Sequence, residues 1–252
     1  MIQQVIHYCW FGGKPLPRSA KKCIASWKKF LPNYEIKEWN ESNFDVNSIP
    51  YTREAYEAKK YAFVSDYARF KILYEEGGLY FDTDVEIIKT IDDLIARGAF
   101  MGCEREAKEA TVPTVAPGLG LGVNPGLGLG VNPGLGLYKE LLDMYSSLHF
   151  KNADGSLNLK TVVDYTTETL VKHGLTNDNA IQYVAGVYIY PKEYFCPIDY
   201  FTRKCEITDK TRSIHHYAES WVSNRVKIYE FCNRLLGVDT TKKIADFING
   251  RN

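Results

Sequence analysis

The sequence has no surplus of either charge: thirty-one Lys and Arg stand against thirty-one Asp and Glu, a formal net charge of zero. Nucleic-acid binders carry a basic excess, and disordered chains combine few apolar residues with high net charge. With 45% hydrophobic residues this chain resembles neither. It also lacks patterned cysteine. Cys9, Cys23, Cys103, Cys196, Cys205 and Cys232 form no C-x-x-C pair, so reduced thiols in a cytosolic protein are expected rather than a disulfide framework or a zinc site. No window offers about twenty apolar residues free of Gly and Pro, so no spanning helix is expected. Met1–His7 lacks the charged and apolar regions of a signal peptide. From Ala110 to Tyr138 there is not one charged side chain.

What the chain does carry is strands alternating with amphipathic helices. Val5–Trp10 is a short apolar run closed by Gly12-Gly13, which reads as a buried strand. Over Arg18–Leu31, Ala20, Cys23, Ile24, Trp27, Phe30 and Leu31 share one helical side and five cations the other. Pro32 ends that helix, and Tyr34–Trp39 alternates as a strand. This order predicts a βαβ unit and a mostly parallel α/β sheet flanked by helices. Ala62–Glu76 is the next helix; Gly77-Gly78 breaks it before the strand Leu79-Tyr80-Phe81. Further helices are expected over Leu135–Leu148, Leu159–Val171, Val222–Leu236 and Asp239–Ile248, and strands over Val85–Ile88, Ala99–Cys103, Val187–Tyr190 and Arg212–His216.

One segment is repetitive. Gly118–Pro125 reads GLGLGVNP, Gly126–Pro133 repeats it, and Gly134–Leu137 begins a third copy. Three copies of eight residues are too few for a stacked solenoid. The glycines and prolines exclude a membrane helix, so residues 110–137 are expected to be a mobile loop in one domain spanning residues 1–252.

Chemistry concentrates in Tyr80-Phe81-Asp82-Thr83-Asp84. Carboxylates at i and i+2 of an extended chain point to the same side. At a strand's carboxyl end they can share one hard divalent cation and leave positions open for phosphate oxygens. On the preceding helix, Asp66 and Arg69 stand at i and i+3 on one face, where each can orient the other or grip a polar ligand. In Ile214-His215-His216-Tyr217-Ala218-Glu219-Ser220-Trp221, adjacent strand histidines face opposite ways, so one of the two would reach a given site. Trp10, leading into Gly12-Gly13, is placed either as a stacking platform for a flat base or as a core residue at a strand end.

Taken in order, HYCWFGG, FVSDYARFKILYEEGGLYFDTDVE and HHYAESW resemble the D-x-D sugar transferases of glycosyltransferase family 32. That family includes capsular-polysaccharide and yeast-type mannosyltransferases and is related to the catalytic domains of glucosylating toxins. The likeness is strong over about residues 2–105, returns at 214–221 and is thin between. It implies a GT-A fold with the site at the sheet's carboxyl edge, a nucleotide-diphospho-sugar donor (a UDP-sugar), Mn²⁺ or Mg²⁺, and transfer of a hexose with retention to a glycan or lipid-linked glycan acceptor. On the same basis Trp10 would stack on the base, Asp66 and Arg69 would hold sugar and diphosphate, and Tyr80 would line the pocket. Asp82 would contact the ribose or the metal-bound donor, and Asp84 would bind the metal. His216 or His215, with Ser220 and Trp221, would close over metal and diphosphate. The octapeptide repeat departs from the family where the acceptor side is built.

Two other readings fit parts of the pattern. A D-x-D ending a strand also opens the haloacid-dehalogenase phosphotransferases, but here Glu86 occupies the fifth position and the motif lies in mid-chain. A nucleotide-sugar-binding module without turnover is the other. The zero net charge conceals a division: residues 1–34 hold six bases and no acid, while residues 35–109 hold seventeen acids and ten bases. The basic face of the first helix is either solvated or in peripheral contact with the anionic inner membrane surface of a cytoplasmic protein.

Overall fold

The first βαβ unit forms as its periodicities dictate. Strand β1 (Val5–Cys9) leads to helix α1 (Arg18–Phe30) and returns as β2 (Glu35–Trp39), parallel to β1 in the register Ile6–Ile36 and Tyr8–Glu38. The computed structural model describes residues 2–106, 112–123, 133–199 and 202–218. Two helices follow, α2 (Pro50–Glu57) and α3 (Tyr61–Glu76). Proline at the first position of α2 costs nothing, because that amide has no helical partner. The chain leaves α3 through Gly77 (φ 69°) and Gly78 (φ 89°), a left-handed pair that turns directly into β3 (Gly78–Tyr80).

The main sheet has the order β2-β1-β3-β7-β5-β9-β8, with β5 at Phe100–Arg105, β7 at Leu121–Val123, β8 at Gln182–Val184 and β9 at Val187–Tyr190. Strands β2, β1, β3, β5 and β9 run one way, while β7 and the edge strand β8 run the other. Strand β6 (Thr114–Val115) pairs beside β5 off this path. A separate ribbon joins β4 (Val85–Ile87) to β10 (Ser213–His215), antiparallel, with His215 opposite Val85. The short helices α4 (Asp92–Ile95) and α7 (Lys192–Phe195) punctuate the connections, and α5 (Pro133–Ser146) and α6 (Val162–Lys172) complete the helical layers. The α/β class and mostly parallel sheet expected from the sequence are present.

Alternation along the strands divides the core. On one face Cys9, Tyr80 and Met101 pack with Tyr51, Phe70, Tyr138, Tyr145 and Tyr165 from α2, α3, α5 and α6. On the other, Ile6, Leu79 and Phe100 pack with Trp27 of α1 and Phe195 of α7. Cys9, Cys23, Cys103 and Cys196 are buried free thiols and Cys205 an exposed one.

The expectation of a loop over residues 110–137 is corrected for its described part. Pro117–Leu119 forms a 3₁₀ turn, Leu121–Val123 is an interior strand between β3 and β5, and Pro133 opens α5. Glycine-rich sequence carries little strand propensity. Here the backbone groups of two neighbouring strands recruit it, Tyr80 pairing with Leu121 and Phe100 with Gly122. The helices expected over 222–236 and 239–248 lie outside the described residues. Among the described residues no helix is long and apolar enough to cross a membrane.

Candidate active site

The carboxyl ends of β1, β3 and β5 open on one cavity of about 910 Å³. Its walls include Trp10, Phe11, Asp66, Arg69, Asp82, Asp84, Glu104 and His215. Sheet, helix α3 and ribbon each deliver part of this set.

Helix α3 supplies the buried core of the cluster. Arg69 and Asp66 share a face, as the i, i+3 spacing predicts, with Nη2 2.9 Å from Oδ1. Arg69 donates from Nε to the Ser65 carbonyl at 3.1 Å and from Nη1 to Asp82 Oδ2 at 3.3 Å. Its guanidinium carbon lies 5.0 Å from the Tyr80 ring centroid. One guanidinium therefore holds two carboxylates, and it is only 4% exposed. Burial lifts Asp66 to about 7 against the pull of Arg69, and the charge on Asp82 adds to the rise. Burial opposes the charge of Arg69 too, but Asp82, Tyr80 and Asp66 outweigh it and raise its pKa.

Asp82 is pinned from three further directions. Its amide donates to the Gly118 carbonyl at 2.9 Å, its own carbonyl accepts from Val85 at 3.1 Å, and Tyr80 donates its hydroxyl to Oδ1 at 3.1 Å. Gly118 belongs to the first copy of the octapeptide. A Cβ there would stand 1.7 Å from Asp82 Oδ2 and 3.0 Å from Arg69 Nη1. This is a close approach only glycine permits. The first copy of the repeat, which the resemblance puts beside the acceptor side, thus lends Gly118 to the wall of the D-x-D corner itself.

Asp84 is held by the ribbon. Its Oδ2 accepts from the Ala218 amide at 2.8 Å and lies 3.3 Å from His215 Nε2, and its carbonyl accepts from the His216 amide at 3.0 Å. Burial works against its charge, yet His215 and these donors draw Asp84 down to about 2. His215 is raised well above its usual value: burial opposes its charge, and Asp84 more than offsets that. His216 is exposed and pairs with Glu86, Nε2 to Oε2 at 2.8 Å. Of the two histidines the sequence left open, His215 is the one brought to Asp84, and His216 faces away from it. The cause is parity: the register of β10 on β4 sends His215 toward Asp84 and its neighbour to the opposite face.

Trp10 lines the cavity half-buried, with its indole nitrogen donating to the Lys14 carbonyl. Ser220 and Trp221 lie outside the described residues. Two wall residues were missed from sequence, Gly118 and Glu104. Glu104 ends the apolar run of β5 as Asp82 ends that of β3, with its side chain 16% exposed. Burial raises its pKa, while His215 and Arg105 pull the other way. An acid closing a buried strand was the available signal.

Residues 17–101, which hold α1, α3 and the D-x-D strand, match the family described as "Glycosyltransferase sugar-binding region containing DXD motif". This stretch is similar to a glycosyltransferase sugar-binding region. An uncharacterized glycosyltransferase, L373, of Acanthamoeba polyphaga mimivirus is 31% identical over 106 residues, 40% of this chain and 42% of that protein. The alignment thus spans less than half of that relative. Among solved structures, the PaToxG glycosyltransferase aligns with a TM-score of 0.48 at 22% identity, over 68% of this chain and 69% of that one. The matched stretch contributes Asp66, Arg69, Asp82 and Asp84; Glu104, Gly118 and His215, which complete the wall, lie beyond it.

Proposed function

We propose that the protein is a metal-dependent, retaining hexosyltransferase that moves a hexose from a nucleotide-diphospho-sugar, a UDP-sugar, to a glycan acceptor in capsule or cell-surface polysaccharide synthesis. In this reading it works in the cytoplasm as one catalytic domain. The observation that carries it is the convergence of Asp82 and Asp84 on one cavity beside Arg69 and Trp10. Among the described residues no group of three or more His, Cys, Asp or Glu is arranged to hold a metal. Two hard carboxylates without a closed protein cage suit an ion that takes its remaining ligands from substrate phosphates, as Mg²⁺ commonly does. Asp84, with Asp82 beside it, would hold that ion, which when bound neutralises charge on the leaving diphosphate.

The chain's own residues do the rest. Arg69, shared between Asp66 and Asp82, fixes the direction of the Asp82 carboxylate. His215 and the Ala218 amide fix Asp84. Trp10 offers its ring at the cavity wall for the nucleotide base. The glycine wall at Gly118 keeps the corner free of any side chain that would displace Asp82. Rate enhancement then comes from positioned charge and from holding the acceptor on the same sugar face from which the diphosphate leaves.

The test is Asp84→Asn, assayed against a panel of nucleotide-sugars with Mn²⁺ for donor hydrolysis and transfer. Loss of one electrostatic partner should lower turnover at least about a hundredfold. Undiminished turnover that ignores chelation would refute the proposal.

A further inference from the structure

Helix α1 is sealed on one side and bare on the other. Ala20, Cys23 and Trp27 are buried, and Trp27 donates from its indole to the Val85 carbonyl at 2.7 Å, which locks the helix to the D-x-D turn. Arg18, Lys21, Lys22, Lys28 and Lys29 are all exposed on the outer side. Residues 1–34 contain no acid to neutralise them. Asp84 and Glu86 act on the buried side of α1, at Cys23, and are engaged by His215 and His216. Among the described residues none of the five cations forms an ion pair; Lys29 lies over the Phe30 ring at 4.9 Å. Leu16, Ile24 and Phe30 flank the face half-buried.

We infer that this face docks the protein on an anionic lipid surface. Four of the five cations are lysines, compact charges suited to a diffuse surface potential, whereas nucleic-acid recognition favours the bidentate fork of arginine. No aromatic ring stands fully exposed on α1 to stack a base, and the half-buried apolar flank suits the shallow edge of a bilayer. The placement is also suggestive of use. Lys14 and Pro17, just before α1, and Ser19 and Ala20 in its first turn line the cavity. A protein resting on α1 would therefore hold the cavity mouth close to the surface, where a lipid-linked acceptor is presented. The docking itself does not depend on the transfer reaction.

The test is cosedimentation with mixed phosphatidylglycerol–phosphatidylcholine vesicles, pure phosphatidylcholine vesicles and duplex DNA, using the intact chain. Each lysine near an anionic surface is worth about fivefold in partitioning. Lys21→Gln/Lys22→Gln should therefore lower binding to the anionic vesicles about 25-fold, and adding Lys28→Gln and Lys29→Gln should lower it more than about a hundredfold. All four side chains are exposed and outside the cavity wall, so far-ultraviolet circular dichroism and donor hydrolysis serve as unchanged controls. Binding should also collapse toward about 1 M salt, where the screening length is about 3 Å. Equal binding to neutral vesicles, indifference to salt or to the quadruple variant, or preference for DNA would overturn the inference. A variant that hydrolyses donor normally but leaves the vesicles isolates docking from the proposed chemistry.

Discussion

His7 makes the fold sensitive to acid. It is 1% exposed in the middle of β1, where Nδ1 accepts from the Trp39 indole at 3.0 Å. Nε2 then carries the proton and donates to the Gly77 carbonyl at 3.0 Å. A second proton would have to enter at Nδ1, against the Trp39 N–H. Burial lowers the pKa to about 4 from 6.5; Glu76 and the Gly77 carbonyl pull upward, and Lys37 pushes further down. The sign follows from linkage. Between these values the unfolded state binds the proton and the folded state does not, so stability present above pH 6.5 is lost as pH falls toward 4. The two values give a loss of about 2 kcal/mol between pH 7 and pH 5, and about 3 kcal/mol by pH 4. His7→Gln places an uncharged amide N–H near the position of Nε2 and removes the titration. Urea unfolding at pH 7 and pH 5 should show the variant losing about 2 kcal/mol less than the native chain over that interval, contributions from other groups cancelling in the difference. Equal losses in the two proteins would refute the reasoning.

Two more perturbations follow from the same geometry. Gly118→Ala leaves a conformation any residue can adopt but drives the Asp82 carboxylate from its place; we expect a native circular dichroism spectrum with donor turnover down about a hundredfold, and unchanged turnover would contradict the wall assigned to the repeat. Trp27→Phe keeps an aromatic ring but strips the Val85 carbonyl of its donor, so thermal or urea unfolding should report a cost of about 1–3 kcal/mol, against near-neutrality if that bond contributes nothing.

Long, strongly periodic elements were legible before the structure. The ends of α1 and α3 and the strand leading to Asp82 fall within a residue or two of their expected positions, because a wide apolar stripe and a Gly-Gly break leave little alternative. The Asp66–Arg69 pair followed from helical spacing alone. What escaped depended on partners remote in the chain. Strand β7 has no pattern of its own and exists because β3 and β5 leave a gap between them. The choice between His215 and His216 turns on a one-residue register that only the pairing with β4 sets. The short helix α2 buries Tyr51, Thr52 and Ala55 over two turns, too brief for its period to stand out.

The β4–β10 ribbon has a kinetic side as well. Ala218 and Asp84, which it brings to 2.8 Å, stand 134 positions apart in the chain. Closing a loop of that length costs about 4 kcal/mol of chain entropy before any contact returns it. The βαβ unit and α3 need no such closure to bring Asp66, Arg69 and Asp82 together. A folding chain would therefore complete the Asp82 half of the corner early and the Asp84 half late, so competence to hold a cation at Asp84 would report that the last long-range closure has taken place.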